Sequence, residues 1–567
     1  MRILAPLAAL LAFAASACAT LPPAAATVPT KIDRRAFVTA ANPLAARAGV
    51  EVLERGGSAA DAAAAVQAML SLVEPQSSGV GGGAFMTYYD AGSRAVTVYD
   101  GREVAPAQAT ANMFLGPDGN PLPFEVAVLS GRATGVPGAV ALLAEAQREH
   151  GRLAWASLFG SAERTADDGF IVSPRLGRLI AGPFPENGAP DVIAYFRNAD
   201  GSRMKAGDRL RNAPYAEFLR RLAAQGPSAL YSGSTAAKII ARTHDGTLPG
   251  SMTMADLAAY RPVKRQALCR PYRVYQLCAP PPPASGVGLL ELLGILERTD
   301  FASRGPSDPQ AWFTFAEASR LMYADRDEYV GDPASVPVEL LLEPKYLNER
   351  ARWIGQTAGP PPTSGEPLIS LVAGADHTIE PTGTSHFIIR DAAGNVVSMT
   401  TTVESIFGSG RMVDGFFLNN QMTDFSFSPE DAQGLPITNA VAPRKRPRSS
   451  MIPTILLTRD GRFAGAIGSA GGSAILAYTV KSLVAAVDWG LPMQQAIALP
   501  NLVARGPAFQ GEVTKFSPEI LAGLKARGID LKPGQGEDSG VQGVLIRDGR
   551  VDGGFDPRRE GVVLFAR

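Results

Sequence analysis

Apolar and polar residues alternate along two neighbouring stretches in the second half of the chain. Residues 384–391 and 396–403 have this period of two, and Gly394 and Asn395 form a turn signal between them. The pattern predicts a β-hairpin. The same criteria predict two further hairpins, one from residues 84–89 and 95–99 and one from residues 452–457 and 463–467.

Small and apolar residues at helical spacing dominate the segments that flank these hairpins. Residues 41–73 predict helices interrupted at Gly56 and Gly57. Further helices are predicted at residues 289–296, 313–329, 473–487 and 493–499, and a strand is predicted at residues 272–277. Because each hairpin must bury an apolar face, we expect two sheets flanked by helices.

The N-terminus has the pattern of a targeting segment. Arg2 precedes the apolar residues 3–15, and small residues follow, so residues 1–26 are predicted to be a secretory signal peptide. Cleavage before Cys18 or before Thr20 would suit a general signal peptidase. Cys18 also fits an imperfect lipoprotein signal, which would leave a lipid on that cysteine. We therefore expect an exported or periplasmic protein, with a lipid anchor left open.

Two other features of the sequence are a segment before Thr384 that lacks periodicity and a pair of cysteines nine positions apart. Residues 356–383 are rich in Pro, Gly and Thr and are predicted to be exposed and mobile. Apart from Cys18, the cysteines are Cys269 and Cys278. Nine residues of continuous strand would separate them by about 30 Å, so a disulfide needs a turn between them, and two free thiols are slightly favoured.

Composition excludes several classes of function. The 567 residues include 54 Lys+Arg and 54 Asp+Glu, so the formal net charge is zero, and no nucleic-acid partner is expected. Three cysteines and four histidines leave little room for a zinc or iron–sulfur site, and no metal or organic cofactor is expected. The chain has no phosphate-binding loop motif and no zinc-protease motif.

The scattered histidines favour a nucleophile that works without one. An N-terminal threonine does so, because its own α-amine, with a pKa of about 7.7–8.0, acts as the base. Exposing such a residue inside a chain requires cleavage of the preceding peptide bond. Gly383 and Thr384 lie at the junction between the predicted mobile segment and a predicted strand. Taken by itself, that junction is more often an ordinary loop end.

Six ordered motifs strengthen this interpretation because together they resemble the γ-glutamyltranspeptidase family, which belongs to the N-terminal-nucleophile hydrolases. They are residues 74–86, 101–106, 324–333, 384–426, 445–451 and 468–473. The resemblance covers nearly the whole mature chain. It implies an α+β fold of four layers, αββα, and self-cleavage between Gly383 and Thr384 into a large subunit, residues 27–383, and a small subunit, residues 384–567, that stay associated.

The resemblance also implies roles in catalysis. Thr384 is the expected nucleophile and Thr402 orients it. Gly471 and Gly472 are expected to offer backbone N–H groups to the oxyanion, which residues without a Cβ allow to approach closely.

A second group of residues is expected to hold the substrate. The resemblance implies that Arg102 binds an α-carboxylate with help from Ser449 and Ser450. Asp424 and Gln421 are expected to bind the α-ammonium group. These residues would together recognise the head of a small γ-glutamyl compound such as glutathione.

One departure from the family pattern keeps the donor open. Glu404 stands where an asparagine is common, and a carboxylate there could change the choice of acyl donor. The first hypothesis is a γ-glutamyltransferase and glutathione hydrolase. The second is an acylase of the same fold that cleaves glutaryl or cephalosporin-type amides. The third is a non-catalytic binding lipoprotein that keeps the fold.

Overall fold

Two stacked β-sheets form the centre of the molecule in the computed structural model, which describes residues 35–369, 373–378, 380–534 and 539–567. The first sheet has seven strands, in the spatial order Val562–Phe565, Phe37–Ala40, Gly383–Arg390, Val396–Glu404, Gly83–Tyr89, Val96–Gly101 and Val263–Gln266. The second sheet has six strands, in the order Arg550–Phe555, Gln542–Arg547, Phe463–Gly468, Thr454–Thr458, Tyr275–Ala279 and Leu268–Tyr272.

Alternation along the strands of the first sheet divides the apolar core in two. Phe85 and Ile388 pack in a cluster shared with the second sheet and the helices beyond it. Their neighbours Met86 and Phe387 point to the opposite face and pack against helices from the N-terminal half. Since successive side chains of a strand point to opposite faces, each strand contributes to both core layers.

Helices cover the outer face of each sheet. The helices Pro43–Glu54, Ala59–Val73, Ala139–His150, Gly160–Asp168 and Ala213–Gln225 contribute to the core outside the first sheet. The helices Gly286–Leu296, Pro309–Tyr329, Ile475–Val487, Met493–Ala498 and Pro518–Ala526 pack outside the second. This arrangement confirms the expected α+β class with four αββα layers.

Shorter elements complete the described chain. The remaining helices are Phe124–Val128, Pro174–Ile180, Pro190–Tyr195, Ser228–Tyr231, Gly233–His244, Met254–Ala259, Phe301–Arg304 and Pro344–Arg352. The small sheets pair Phe170–Ile171 with Arg209–Leu210, Met412–Val413 with Phe416–Phe417, and Leu502–Arg505 with Ala508–Gly511 and Lys532–Pro533. Within the described residues, no helix combines the length and the apolar character needed to cross a membrane.

The three predicted hairpins are confirmed, with shifts of one or two residues at their ends. The strand predicted at residues 272–277 is wrong, because Arg273 adopts a positive φ of 53° and the chain reverses there. Leu268–Tyr272 and Tyr275–Ala279 therefore pair as antiparallel strands. The turn, residues 272–275, contains no Gly, Pro, Asn or Asp that would mark it in the sequence.

This turn also corrects the expectation of two free thiols. Cys269 and Cys278 lie directly opposite each other in the hairpin, with Cα atoms 4.1 Å apart, and form a disulfide. The spacing that separates the two thiols in a continuous strand brings them together in a tight hairpin.

The segment before Thr384 is less exposed than expected. Leu368 and Ile369 are exposed, but Asp376, Glu380 and Gly383 are buried. The prediction of an exposed segment is therefore wrong for its last part, where charged side chains find buried partners. The predicted signal peptide, the lipid site at Cys18 and the first residues of the predicted large subunit lie outside the described residues.

Strands from both sides of the Gly383–Thr384 bond are neighbours in both sheets. Gly383–Arg390 and Val396–Glu404 lie between Phe37–Ala40 and Gly83–Tyr89 in the first sheet. In the second sheet, Thr454–Thr458 pairs with Tyr275–Ala279. A cut at residue 384 would leave two pieces that share both sheets.

Candidate active site

The two threonines predicted to be catalytic face each other across the central hairpin. Thr384 is the second residue of the strand Gly383–Arg390, and Thr402 is its partner on the next strand. Both are buried, and Thr384 Oγ1 donates to Thr402 Oγ1 over 3.3 Å. The pairing follows from the register of the hairpin, which the alternating pattern and the turn at Gly394 define.

Thr402 also contacts the carbonyl that a self-cleaving reaction would attack. Its Oγ1 donates to the carbonyl oxygen of Gly383 over 2.5 Å and accepts from the backbone N–H of Glu404 over 2.8 Å. One hydroxyl thus contacts both the hydroxyl of Thr384 and the carbonyl of the preceding peptide bond.

A bulge in the hairpin creates this arrangement. The register shifts between Thr402 and Glu404, and Glu404 has a positive φ of 86°, which is unusual for a residue with a Cβ. Gly383 pairs with Glu404 so closely that a Cβ at Gly383 would lie 2.3 Å from the Glu404 carbonyl oxygen. Only glycine fits at this position.

Arg559 also contacts Thr384, through the backbone of that residue. Its Nη1 donates to the carbonyl oxygen of Thr384 over 2.7 Å. Sequence reasoning missed this residue, because Arg559 lies 175 positions away near the C-terminus and no pattern around it suggests a site.

The glycine pair predicted for the oxyanion lies at the start of the helix Ile475–Val487. Gly471 and Gly472 have positive φ values of 131° and 55°. A Cβ at Gly472 would meet the carbonyl oxygens of Pro381 and Glu380 at 2.2 and 2.4 Å. The segment before Gly383 therefore covers this glycine in the uncut chain.

An acidic group, which we call the acidic end, lies on one side of the two threonines and consists of Glu404, Gln421 and Asp424. Gln421 Nε2 donates to Asp424 Oδ2 over 3.0 Å and to Glu404 Oε2 over 3.4 Å. Burial and the neighbouring carboxylate of Asp424 raise the pKa of Glu404 well above its usual value. A cation placed at the acidic end would reverse that shift.

Arg102 joins this end of the site and is fully buried. Its Nη2 pairs with Asp424 and donates to the carbonyl oxygen of Arg448 over 2.7 Å. Its Nη1 lies 3.6 Å from Glu103, whose pKa burial raises to about 8 despite the attraction of Arg102. Arg102 and Asp424, predicted to bind opposite charges of the substrate, thus bind each other in the uncut chain.

A basic group, which we call the basic slot, adjoins the acidic end through Arg102, which donates to the carbonyl oxygen of Arg448, and consists of Arg326, Arg448 and Ser450. Glu380 fills it: Arg326 Nη2 donates to its two oxygens over 2.7 and 3.0 Å, and Ser450 Oγ donates over 2.5 Å. Ser449, in contrast, accepts a hydrogen bond from the N–H of Met451 over 3.2 Å. Sequence reasoning gave Glu380 and Arg326 no role.

One small cavity borders the two threonines, the acidic end and, from the basic slot, Ser450 together with Glu380. Its volume is only about 20 Å³, enough for about one water molecule. It is lined by Arg102, Glu380, Thr384, Thr402, Glu404, Gln421, Asp424, Ser449, Ser450 and Gly472. Of the predicted site residues that would touch a substrate, Gly471 alone is not in this lining. Glu380 also borders a larger cavity of about 610 Å³.

Histidine does not supply a base at this site. His386 is buried two residues after Thr384, its Nδ1 lies 2.8 Å from Thr400 Oγ1, and burial lowers its pKa to about 3. The ring is therefore neutral at pH 7. Within the described ranges, no group of three or more His, Cys, Asp or Glu residues is arranged to hold a metal ion.

Comparisons with known proteins agree with this geometry. The solved structure of the cephalosporin acylase from Bacillus halodurans superimposes with a TM-score of 0.80 at 27% identity, over 96% of this chain and 99% of that one. The layered fold thus defines an N-terminal-nucleophile hydrolase. The family model described as gamma-glutamyltranspeptidase matches residues 45–566, and the chain belongs to this family.

Two curated relatives support the family and are both described as proenzymes. A glutathione hydrolase proenzyme of Bacillus subtilis (strain 168) is 33% identical over 94% of this chain and 92% of its own. The acylase ACY 1 proenzyme of Pseudomonas sp. (strain SE83) is 32% identical, over 93% of each chain. The chain is therefore an enzyme of a family that contains both kinds of activity.

Proposed function

We propose that the chain is a precursor that cuts itself between Gly383 and Thr384 and then works as a γ-glutamyltransferase and glutathione hydrolase. The observation that carries this proposal is the Thr402 hydroxyl, which contacts both the Thr384 hydroxyl and the Gly383 carbonyl. Attack of the Thr384 hydroxyl on the Gly383 carbonyl requires these two groups to be held together, and Thr402 contacts both.

In the maturation step, Thr384 Oγ1 adds to the Gly383 carbonyl carbon while Thr402 stabilises the developing charge on the carbonyl oxygen. The C–N bond then breaks, the nitrogen of Thr384 takes the hydroxyl proton, and an ester remains. Water hydrolyses the ester to give the carboxylate of Gly383 and a free Thr384 amine. The large subunit would be residues 27–383 and the small subunit residues 384–567.

In the catalytic cycle, the freed amine takes the proton of Thr384 Oγ1 as the oxygen attacks the γ-carbonyl of the donor. The leaving amine collects that proton, and a γ-glutamyl ester forms on Thr384. Water or an amino acid or peptide amine then takes the acyl group. The backbone N–H groups of Gly471 and Gly472 are proposed to stabilise the oxyanion once the segment before Gly383 has moved away.

The groups at the ends of the cavity suit a zwitterionic donor head. Asp424, Gln421 and Glu404 present acceptors to an ammonium group, and the raised pKa of Glu404 falls when a cation arrives. Arg102, with Ser449 and Ser450, is proposed to bind the carboxylate. The chemistry needs no metal or organic cofactor.

A glutaryl or cephalosporin-type acylase is the second candidate. The similarity to the cephalosporin acylase of Bacillus halodurans supports it, and so does the burial of Glu404, which together with Asp424 raises the pKa of its carboxyl group well above the usual value. A glutaryl donor has the carboxylate but lacks the ammonium. Kinetics with γ-glutamyl and glutaryl anilides separate the two: a clear glutaryl preference would replace the first candidate with the second.

The two pieces are proposed to stay together as a heterodimer because strands of one piece pair with strands of the other in both sheets. Export to the periplasm or beyond is proposed from the signal pattern of residues 1–26, and a lipid on Cys18 would add a membrane anchor. Intact mass analysis of the mature protein measures the signal cleavage, the lipid and the internal cut together.

The Thr384→Ala variant tests the whole scheme. We expect one uncut chain and no acyl transfer, whereas Thr384→Ser, which keeps the hydroxyl, is expected to cut and to retain activity. N-terminal sequencing of the wild-type small fragment should give Thr-Ser-His. An active wild-type enzyme without such a fragment would overturn the proposal.

A further inference from the structure

The chain places one of its own carboxylates next to the nucleophile. Glu380 lies in the basic slot and accepts three hydrogen bonds from two donors: Arg326 Nη2 donates to both of its oxygens, and Ser450 Oγ donates to one of them. Arg448 Nη2 lies 3.4 Å away. Burial raises the pKa of Glu380, but attraction to Arg326 and Arg448 is stronger and lowers it to about 2, so the side chain is ionised.

The charges around Glu380 balance only while it is present. Arg326 also contacts Asp327 over 3.0 Å, and Arg448 contacts Asp376 over 2.9 Å. The buried group thus contains three guanidinium groups and three carboxylates: Arg326, Arg448 and Arg505 with Asp327, Asp376 and Glu380. Removing Glu380 leaves one excess positive charge and frees the donors of Arg326 and Ser450. A buried charge without a partner is costly.

Glu380 has to leave before any donor can react. The cavity at Thr384 has room for about one water molecule, and the carbonyl oxygens of Glu380 and Pro381 lie against Gly472. A donor carbonyl must also take the position of the Gly383 carbonyl, beside Thr384 and Thr402. The rest of its acyl group then lies where the residues before Gly383 lay.

We propose that the basic slot, emptied by cleavage, binds the carboxylate at the far end of the donor's acyl group, with Arg326 as a specificity-determining residue. This rests on the proposed function. Arg326 acts in addition to Arg102, whose Nη2 is already held by Asp424 and the Arg448 carbonyl. In the uncut chain, the Glu380 carboxylate thus occupies the position proposed for the donor carboxylate. Both γ-glutamyl and glutaryl groups carry such a carboxylate, so the slot serves either candidate activity.

The first experiment measures how much the mature enzyme gains from that carboxylate. Wild-type kcat/KM is compared for γ-glutamyl-4-nitroanilide and for its analogue with an α-carboxamide. We expect the carboxylate to be preferred by about 10- to 100-fold, the usual range for charged hydrogen bonds. In Arg326→Gln the preference should fall at least tenfold, mainly through KM. Arg505→Gln removes a charge from the same cluster without a contact to Glu380 and should keep the preference.

A second measurement needs no variant of the slot. Phenylglyoxal modifies accessible arginines, and peptide mass analysis reports Arg326 separately. We expect Arg326 to be protected in uncut Thr384→Ala, reactive in the mature wild-type enzyme, and protected again by glutarate but not by pentanamide. Arg326 that stays unreactive after cleavage, or that glutarate does not protect, overturns the proposal.

The outcomes distinguish failure of the proposed role of the basic slot from failure of the proposed enzymatic function. A wild-type protein that neither cuts nor turns over any anilide refutes the proposed function. An enzyme that cuts and turns over both anilides, but whose Arg326→Gln variant keeps the full carboxylate preference, refutes the role of the slot alone.

Discussion

The two ends of the catalytic cavity differ in how their charges are satisfied. At the basic slot, Glu380 gives Arg326 and Ser450 a partner within 3.0 Å. At the acidic end, Glu404 and Asp424 lie together, Gln421 bridges them, and Arg102 is the cation that Asp424 binds. The precursor supplies a carboxylate to one end and no ammonium to the other.

This difference indicates which end distinguishes between donors. Both γ-glutamyl and glutaryl donors carry the carboxylate that replaces Glu380, so the basic slot favours the two alike. An ammonium group is present in γ-glutamyl donors and absent in glutaryl donors. We therefore expect Glu404, whose pKa is raised by burial and by the neighbouring Asp424, to determine the selectivity.

The largest effect is expected on the rate of scission, from a substitution at Thr402, which contacts both Thr384 and the Gly383 carbonyl. Thr402→Val removes the donor to the Gly383 carbonyl, and loss of one such donor costs about 10²- to 10³-fold in rate. The half-time of scission, followed on denaturing gels, should lengthen accordingly. Thr402→Ser keeps the hydroxyl and should cut near the normal rate. Equal rates in Thr402→Val and wild type would contradict the role of this contact.

Stability of the uncut protein should respond in opposite directions at the two ends. In a Thr384→Ala background, Glu380→Gln removes the carboxylate that Arg326 Nη2 binds and leaves the buried cluster with one excess positive charge, so it should lower the free energy of unfolding at pH 7 by about 3 kcal/mol. The folded pKa of Glu380 is lowered from 4.5 to about 2. The wild-type advantage is therefore complete above pH 4.5 and disappears as the pH falls towards 2.

Glu404→Gln in the same background provides the contrast. The folded pKa of Glu404 is raised, so its contribution to stability is present at low pH and is lost as the pH rises through the folded value. The glutamine variant should match the parent at low pH and exceed it as the pH rises. Denaturant unfolding at several pH values measures both variants, and a loss of stability that grows with pH would refute the assignment.

Selectivity should change by a smaller factor. Glu404→Gln should reduce the ratio of kcat/KM for γ-glutamyl over glutaryl anilides by about tenfold, because a buried carboxylate binds ammonium more strongly than an amide does. In the wild type this ratio should rise with pH as Glu404 loses its proton, since the ratio cancels the ionisation of the Thr384 amine. A ratio that stays flat with pH would remove Glu404 from donor recognition.

The smallest effect on the cavity is expected from the disulfide. Replacing Cys269 and Cys278 with serine opens a loop of nine residues and should lower stability by about 2 kcal/mol. The preference for the α-carboxylate over the α-carboxamide and the preference for γ-glutamyl over glutaryl anilides should both stay at wild-type values. The reason is that the hairpin lies at the far edge of the second sheet. A change in either preference would mean that donor binding at the cavity depends on the distant hairpin that carries the disulfide.

Local patterns predicted the elements but not the contacts between distant ones. The alternation around Gly394 predicted the hairpin, and the motifs led to Thr384, Thr402 and the other predicted residues that line the cavity, whereas the pairing of Thr384 with Thr402 comes from the structure. The disulfide was misjudged because the turn at Arg273 has no Gly or Asn to mark it. Glu380 and Arg326 are 54 positions apart, so only the folded chain reveals their pairing.

The pairing of strands from both sides of residue 384 has a consequence for the lifetime of the enzyme. Folding happens while the two parts are one molecule, so the search for partners is intramolecular. After the cut, a pair of chains that comes apart faces a bimolecular search with unpaired strand edges that invite aggregation. The mature enzyme is then expected to persist because separation is slow, and once separated it is not expected to reassemble.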